Sequence, residues 1–328
     1  TWDLNLDVAE LGRLIEYYGG PGDYHESAQI WLQVRPSDKR ALPLTVHGEL
    51  LTDALAAELT GEFESFDGQS GFSASFALTA EDSHELRQIT GVGLPPMGRL
   101  QVTGEVRRAT DTHESITGSV NLESEKLGQF SAEGILGKQW KIGSQLELKF
   151  KVDRLSKAIA VLPIPLQGNV PLQAQAIVRT DGETLQVTEL RVTAGRNDIS
   201  GEISYPLNVA DSNRQKIDGR LASEYFNLND LFPKKEKKYL FGEELIPLTW
   251  ADRYDVDLEY SAGHLLRRNY EITDATALLT SLDGLVNIRL QGISAGGDLE
   301  VQLDLDTQVD PHPANYAYDW KHLDLDLL

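Results

Sequence analysis

Residues 146–152 read LELKFKV. Leu146, Leu148, Phe150 and Val152 fall on one side of an extended chain, and Glu147, Lys149 and Lys151 on the other. Successive side chains of a strand point to opposite faces, whereas apolar residues of a helix recur every three or four positions. Such alternation therefore specifies a half-buried strand. It returns along most of the chain. Leu100, Val102, Gly104 and Val106 oppose Gln101, Thr103, Glu105 and Arg107, and Leu299, Val301, Leu303 and Leu305 oppose Glu300, Gln302, Asp304 and Asp306. Turn-like gaps such as RTDGE separate the runs, the pattern of antiparallel meanders.

The strands come in a longer rhythm. Four stretches place an alternating strand before a short helical pattern: DLNLDVAELGRLI, SFALTAEDSHELRQI, KFKVDRLSKAIAV and RLASEYFNLNDLF. Their anchors Leu4, Phe76, Phe150 and Leu221 are spaced by 72, 74 and 71 residues. A fixed period of this size marks a repeat architecture. The spacing predicts units at 1–75, 76–148 and 149–219 and a longer fourth unit at 220–328, with an insertion around PKKEKKYLFGEELIPLTW. Short helices are expected near 9–17, 81–89, 154–160 and 228–232. The fold class expected is mainly β: a repeat-built, long, curled antiparallel sheet with one apolar, groove-like face and one short helix per repeat. One small helix per unit cannot hide four strands of apolar surface. The sheet must curl, pack on another sheet or hold something apolar.

Glycine recurs on the apolar side of these strands, at Gly48, Gly61, Gly104, Gly118, Gly134 and Gly201. Two readings are compatible: glycine permits bends and bulges in a curved sheet, or missing side chains leave a channel. On the second, the groove would be lined by Leu78, Val102, Ile116, Phe130, Phe150, Leu172, Val187, Ile199 and Ile203, with Gly104, Gly118, Gly134 and Gly201 as its low points.

Charge and composition narrow the partners. Thirty Lys and Arg against 51 Asp and Glu give a net charge of −21. Such a chain gains nothing from counterion release on nucleic acid and adheres poorly to an anionic bilayer. There is no cysteine, so disulfides and thiolate chemistry are excluded. The most apolar stretch, Ala158 to Leu166, is nine residues with two prolines, far short of the roughly 20 needed to span a bilayer. The chain begins and ends in strand-like text, as expected of a segment of a longer protein whose targeting element lies elsewhere.

Phosphate-loop, dinucleotide-binding, nucleophile-elbow and zincin motifs are all missing. The seven histidines are dispersed, with none within four residues of another. The pairs Asp304/Asp306 and Asp324/Asp326 share strand faces and suit a solvated surface better than acid–base work. The expectation is therefore a non-enzyme with no cofactor and no metal. Lys234, Lys235, Lys237 and Lys238 form the strongest basic cluster, beside Phe232, Tyr239 and Phe241. They suit an exposed loop, or one that meets an anionic headgroup or a partner.

The stretch LPIPLQGNVPLQAQAIVRTDGETLQVTELRVTAGRNDISGEISY resembles the repeating unit of the AsmA family, in which a proline-flanked strand leads to a hairpin and then to a strand of the SxLSG type. The stretch from Glu244 to Asp306, with DVDLEYSA and GGDLEVQLDLD, is similar to that family's C-terminal unit. The resemblance covers nearly the whole chain. It implies a periplasmic segment of a protein anchored in the inner membrane of Gram-negative bacteria by an N-terminal helix outside this segment. It also implies a part in outer-membrane homeostasis and a link to bridge-like lipid-transfer proteins with long hydrophobic grooves. The partners implied are lipid acyl chains and envelope proteins, with membrane contact made through other parts of the protein. Two functions stand on this basis: binding or transport of phospholipid between membranes, and a non-catalytic scaffold for envelope or outer-membrane protein assembly. A hydrolase of envelope polymers is disfavoured by the missing constellation.

Overall fold

The computed structural model describes residues 1–17, 26–39, 42–65, 70–84, 86, 97–108, 115–137, 142–158, 169–207, 214–231, 251, 254–309 and 312–322. The protein is mainly β, with helix confined to short pieces. The chain divides into two compact units, Thr1–Asp153 with Lys157–Pro163, and Arg154–Ser156 with Ile164–Leu328.

The first unit holds nine strands: β1 (Trp2–Val8), β2 (Ala28–Pro36), β3 (Leu44–Leu51), β4 (Leu55–Phe63), β5 (Phe72–Ala80), β6 (Leu100–Arg108), β7 (Ile116–Ser124), β8 (Gly128–Leu136) and β9 (Ile142–Val152). Each pairs antiparallel with the next, from β1 on β2 to β8 on β9. The second unit holds β10 (Leu172–Asp181), β11 (Thr184–Ala194), β12 (Asn197–Pro206), β13 (Gln215–Asn227), β14 (Tyr254–Arg267), β15 (Tyr270–Leu282), β16 (Leu285–Ser294), β17 (Gly297–Asp306) and β18 (Ala314–Lys321). These too pair in chain order.

One pair departs from the expected antiparallel sheet. β13 and β14 run parallel, with Ile217 beside Val256 and Leu221 beside Tyr260. The arrangement is thus mixed. The physical reason is chain length: parallel neighbours need a crossover of a dozen or more residues, and 228–253 supply it. The insertion expected from the sequence falls within this connection. The basic cluster of Lys234, Lys235, Lys237 and Lys238 falls in it, outside the described residues.

Helices α1 (Leu11–Tyr17), α2 (Leu155–Ala158) and α3 (Leu228–Leu231) each follow a strand directly or within a few residues. A helical turn also begins at Ser83, which puts helix starts at Leu11, Ser83 and Leu155, 72 residues apart. The strands that follow keep the same interval, starting at Ala28, Leu100 and Leu172. The rest of the expected 81–89 helix lies largely outside the described residues.

The core sits where these helical turns meet the strand ends. Leu55, Ala80, Leu86, Met97, Leu100 and Leu127 form one buried cluster, and Leu11 with Ala28 another. Polar groups pin the covering segment. Ser83 Oγ accepts from the Met97 amide at 3.0 Å, and Ser124 Oγ donates to the Met97 carbonyl at 2.7 Å. Buried polar atoms are tolerable only when partnered in this way. The β3–β4 turn is closed likewise, by the Leu55 amide donating to Thr52 Oγ1 at 2.9 Å.

Candidate functional site

Cross-strand register decides which side chains share a face. In the first unit it aligns Leu6, Ile30, Leu50, Ala57, Leu78, Val102, Leu122, Phe130 and Phe150 in one row across all nine strands. The adjoining row is Leu4, Leu32, Gly48, Leu59, Phe76, Gly104, Val120, Ala132 and Leu148. The second unit repeats the theme with Val178, Val187, Ile203, Gly219, Leu258, Leu279, Ile288, Leu303 and Tyr316.

Of the residues singled out in the sequence, Leu78, Val102, Phe130 and Phe150 thus lie in one row. Ile116 sits at the far end of β7, opposite Leu136, and Gly118 faces Gly134. Val187 and Ile203 are direct neighbours, Ile199 pairs with Val192, and Gly201 with Leu190. Leu172 lies at the helix-covered end and is buried, so it is core. Leu50, Leu122, Leu258, Leu279, Ile288 and Leu303 share these rows and were not among the candidates. Their alternation was visible, but only register shows that they continue the same stripe.

Burial is uneven along the strands. Leu55, Ala80, Leu100 and Val152, at the helix end, are buried, and Val46 and Ala74, away from the helical turns, are buried too. In the two rows next to the helix end, Phe130 is 36 % and Leu59 38 % exposed. Side chains of this size normally lose most of their surface in a core. The polar face opposite presents Glu147, Lys149, Ser200 and Glu202, all exposed.

The glycines divide by cause. Gly134 and Gly201 have φ of 151° and 150°, a region only glycine visits readily. A Cβ on either would also lie 2.0 Å from a carbonyl oxygen of the neighbouring strand, Gln145 or Arg220. These positions need glycine for the backbone. Gly104 differs: a Cβ there would meet the Phe76 ring at 2.5 Å. The ring from β5 occupies that space, so Gly104 is not a low point of the face. Gly118 beside Gly134 does leave two adjacent positions without side chains.

Of the polar groups on the apolar side, Ser281, between Val256 and Val286, is buried with its Oγ unpartnered, while Tyr260 is paired. Tyr260 OH and Ser223 Oγ lie 2.6 Å apart, and burial pushes the Tyr260 phenol above its ordinary value. Among the described residues no group of three or more His, Asp or Glu could hold a metal. His47 lies on the polar face, its ring edge-on with Trp31 at 4.9 Å and its Nδ1 3.0 Å from Thr60 Oγ1. Asp304 meets Asn287 and Gln302, a surface network. No described helix is long and apolar enough to cross a membrane.

No family model, no curated protein and no solved structure matches this chain.

Proposed function

We propose that the apolar face binds lipid acyl chains, and that the chain is an AsmA-like periplasmic segment that holds or conducts phospholipid between membranes. The observation that carries this reading is a continuous row of part-exposed apolar side chains. Cross-strand rows of apolar residues, mostly Leu, Ile, Val and Phe with Ala and Gly between, run across nine strands, and members such as Phe130 and Leu59 stay part-exposed. An acyl chain needs only a continuous apolar strip, since each methylene removed from water contributes about 0.8 kcal/mol. The 72-residue interval of helix and strand starts supports a repeat-built sheet, in which such a strip lengthens with each unit. The role is one of binding, with no chemical step and no cofactor. The resemblance noted in the sequence adds the periplasm as the compartment and outer-membrane homeostasis as the process.

Mild purification followed by native mass spectrometry and lipid extraction tests the reading. Phospholipid adducts that survive gel filtration are expected. A folded, lipid-free protein that also takes up no phospholipid from vesicles would favour the scaffold role, in which the apolar faces are covered by protein.

A further inference from the structure

One charged side chain stands on the apolar face of the first unit. Among the described strand positions of that face, Arg108 is the single charged residue; the others are apolar, glycine, proline or serine. The alternation of Leu100, Val102, Gly104 and Val106 along β6 places it there. It belongs to the terminal row opposite the helical turns, where β4, β5, β7 and β8 supply Phe63, Phe72, Ile116 and Leu136. A charge set among apolar side chains is costly unless something offsets it, so this position calls for a physical reason.

Arg108 is half-buried. Its guanidinium carbon lies 5.4 Å from the centre of the Phe72 ring, and that ring stacks on Phe63 with centroids 6.0 Å apart. Cation–π attraction holds the side chain against the row. The guanidinium presents its N–H groups as a planar fork that matches two oxygens of a phosphate.

The strip beside it is accessible. On β7 and β8, Ile116, Gly118, Val120, Ala132, Gly134 and Leu136 are all half-buried or exposed. Leu122 and Phe130 continue it, and the buried Ser124 and Leu127 close it at the helix end. From Ile116 to Leu122 the strip runs about 20 Å at the ~3.3 Å rise of a strand. One leaflet's share of a ~30 Å hydrocarbon core is about 15 Å, so one acyl chain fits between the arginine and the closed end. The strip thus has the polarity of a lipid, with a cation at its open end and apolar side chains along its length.

We infer that Arg108 receives the phosphate of a bound phospholipid, with one acyl chain lying along β7 and β8 toward the helix-covered end. The inference rests on the acyl-chain reading above and adds an orientation and a ligand class, an anionic phosphate headgroup. Arg107, its neighbour in the chain, is exposed on the polar face and takes no part.

Lysophosphatidic acid and the monoacylglycerol with the same acyl chain differ only in the phosphate, so titrating each into the full chain separates head from tail. The unaltered protein should bind lysophosphatidic acid more tightly by roughly tenfold. Arg108→Gln should abolish that preference by weakening lysophosphatidic acid alone, and Arg107→Gln should leave it intact. Arg108→Lys, which keeps the charge but not the fork, should show an intermediate preference, and gives the same test if thermal melts show that the glutamine variant does not fold. Equal binding of both lipids by the unaltered protein leaves the acyl-chain reading standing and overturns this one. A preference that persists in Arg108→Gln, or that Arg107→Gln lowers as much, also overturns it. So does inorganic phosphate binding alone as tightly as lysophosphatidic acid, which would make the site one for free phosphate. Binding of neither lipid sinks both readings.

Discussion

Gly134 and Gly201 show how much a single missing Cβ carries. Their φ angles of 151° and 150° and the carbonyl 2.0 Å from each hypothetical Cβ make substitution costly on two independent grounds. Gly134→Ala and Gly201→Ala should each destabilise by at least about 1–3 kcal/mol, read as a lower urea midpoint. Gly48 supplies the contrast, because its nearest atom is Leu32 Cδ1 at 3.4 Å and its φ is ordinary. Gly48→Ala should be neutral, or stabilise by up to about 1 kcal/mol through the unfolded chain. All these glycines were visible as exceptions to alternation. What separates them was not, because it depends on the neighbouring strand. Nothing near Gly104 in the sequence says that Phe76 will lie across it.

At the scale of elements, the crossover into β14 is the feature that strand alternation could not reveal. Side chains alternate identically in parallel and antiparallel strands, so only the long 228–253 connection hinted at the change of direction. Arg214 locks the two strand starts together. Its Nε donates to Asp255 Oδ1 at 2.7 Å and its Nη2 to the Ala251 and Tyr254 carbonyls, while Asp255 Oδ1 also accepts from the Asp283 amide at 3.0 Å. Arg214→Met should therefore cost about 1–3 kcal/mol and raise amide exchange at the start of β13 and β14. The β10–β11 turn titrates instead. Asp181 accepts from the Thr184 and Glu183 amides, which holds its carboxyl below the usual carboxylate range. A lowered native value means the charged form is preferred in the fold. The turn's contribution is thus full above the ordinary carboxylate value and lost as pH falls through the native one. Exchange at Glu183 and Thr184, corrected for the intrinsic rate, should rise over that window in the native protein but not in Asp181→Asn, whose side chain does not titrate.

For the whole molecule, the alternation of polar and apolar residues made the strand content, and the short helices that follow strands, legible in the sequence. Placement of the candidate residues was less so. Leu78, Val102, Phe130 and Phe150 share a row, but Leu172 is core and the lysine cluster falls outside the described residues. Register and end-coverage are set by contacts far apart in sequence, so a strand's pattern gives its two faces but not which end is covered. The central claim is that one face of each unit takes acyl chains and the other does not. Photo-crosslinking side chains placed singly at Phe150 and Ile199, and at Glu147 and Ser200 on the opposite face, test it most directly in cells. Phospholipid captured at Phe150 and Ile199 alone is the result predicted. Equal capture at all four positions, or none from a folded protein, would contradict it.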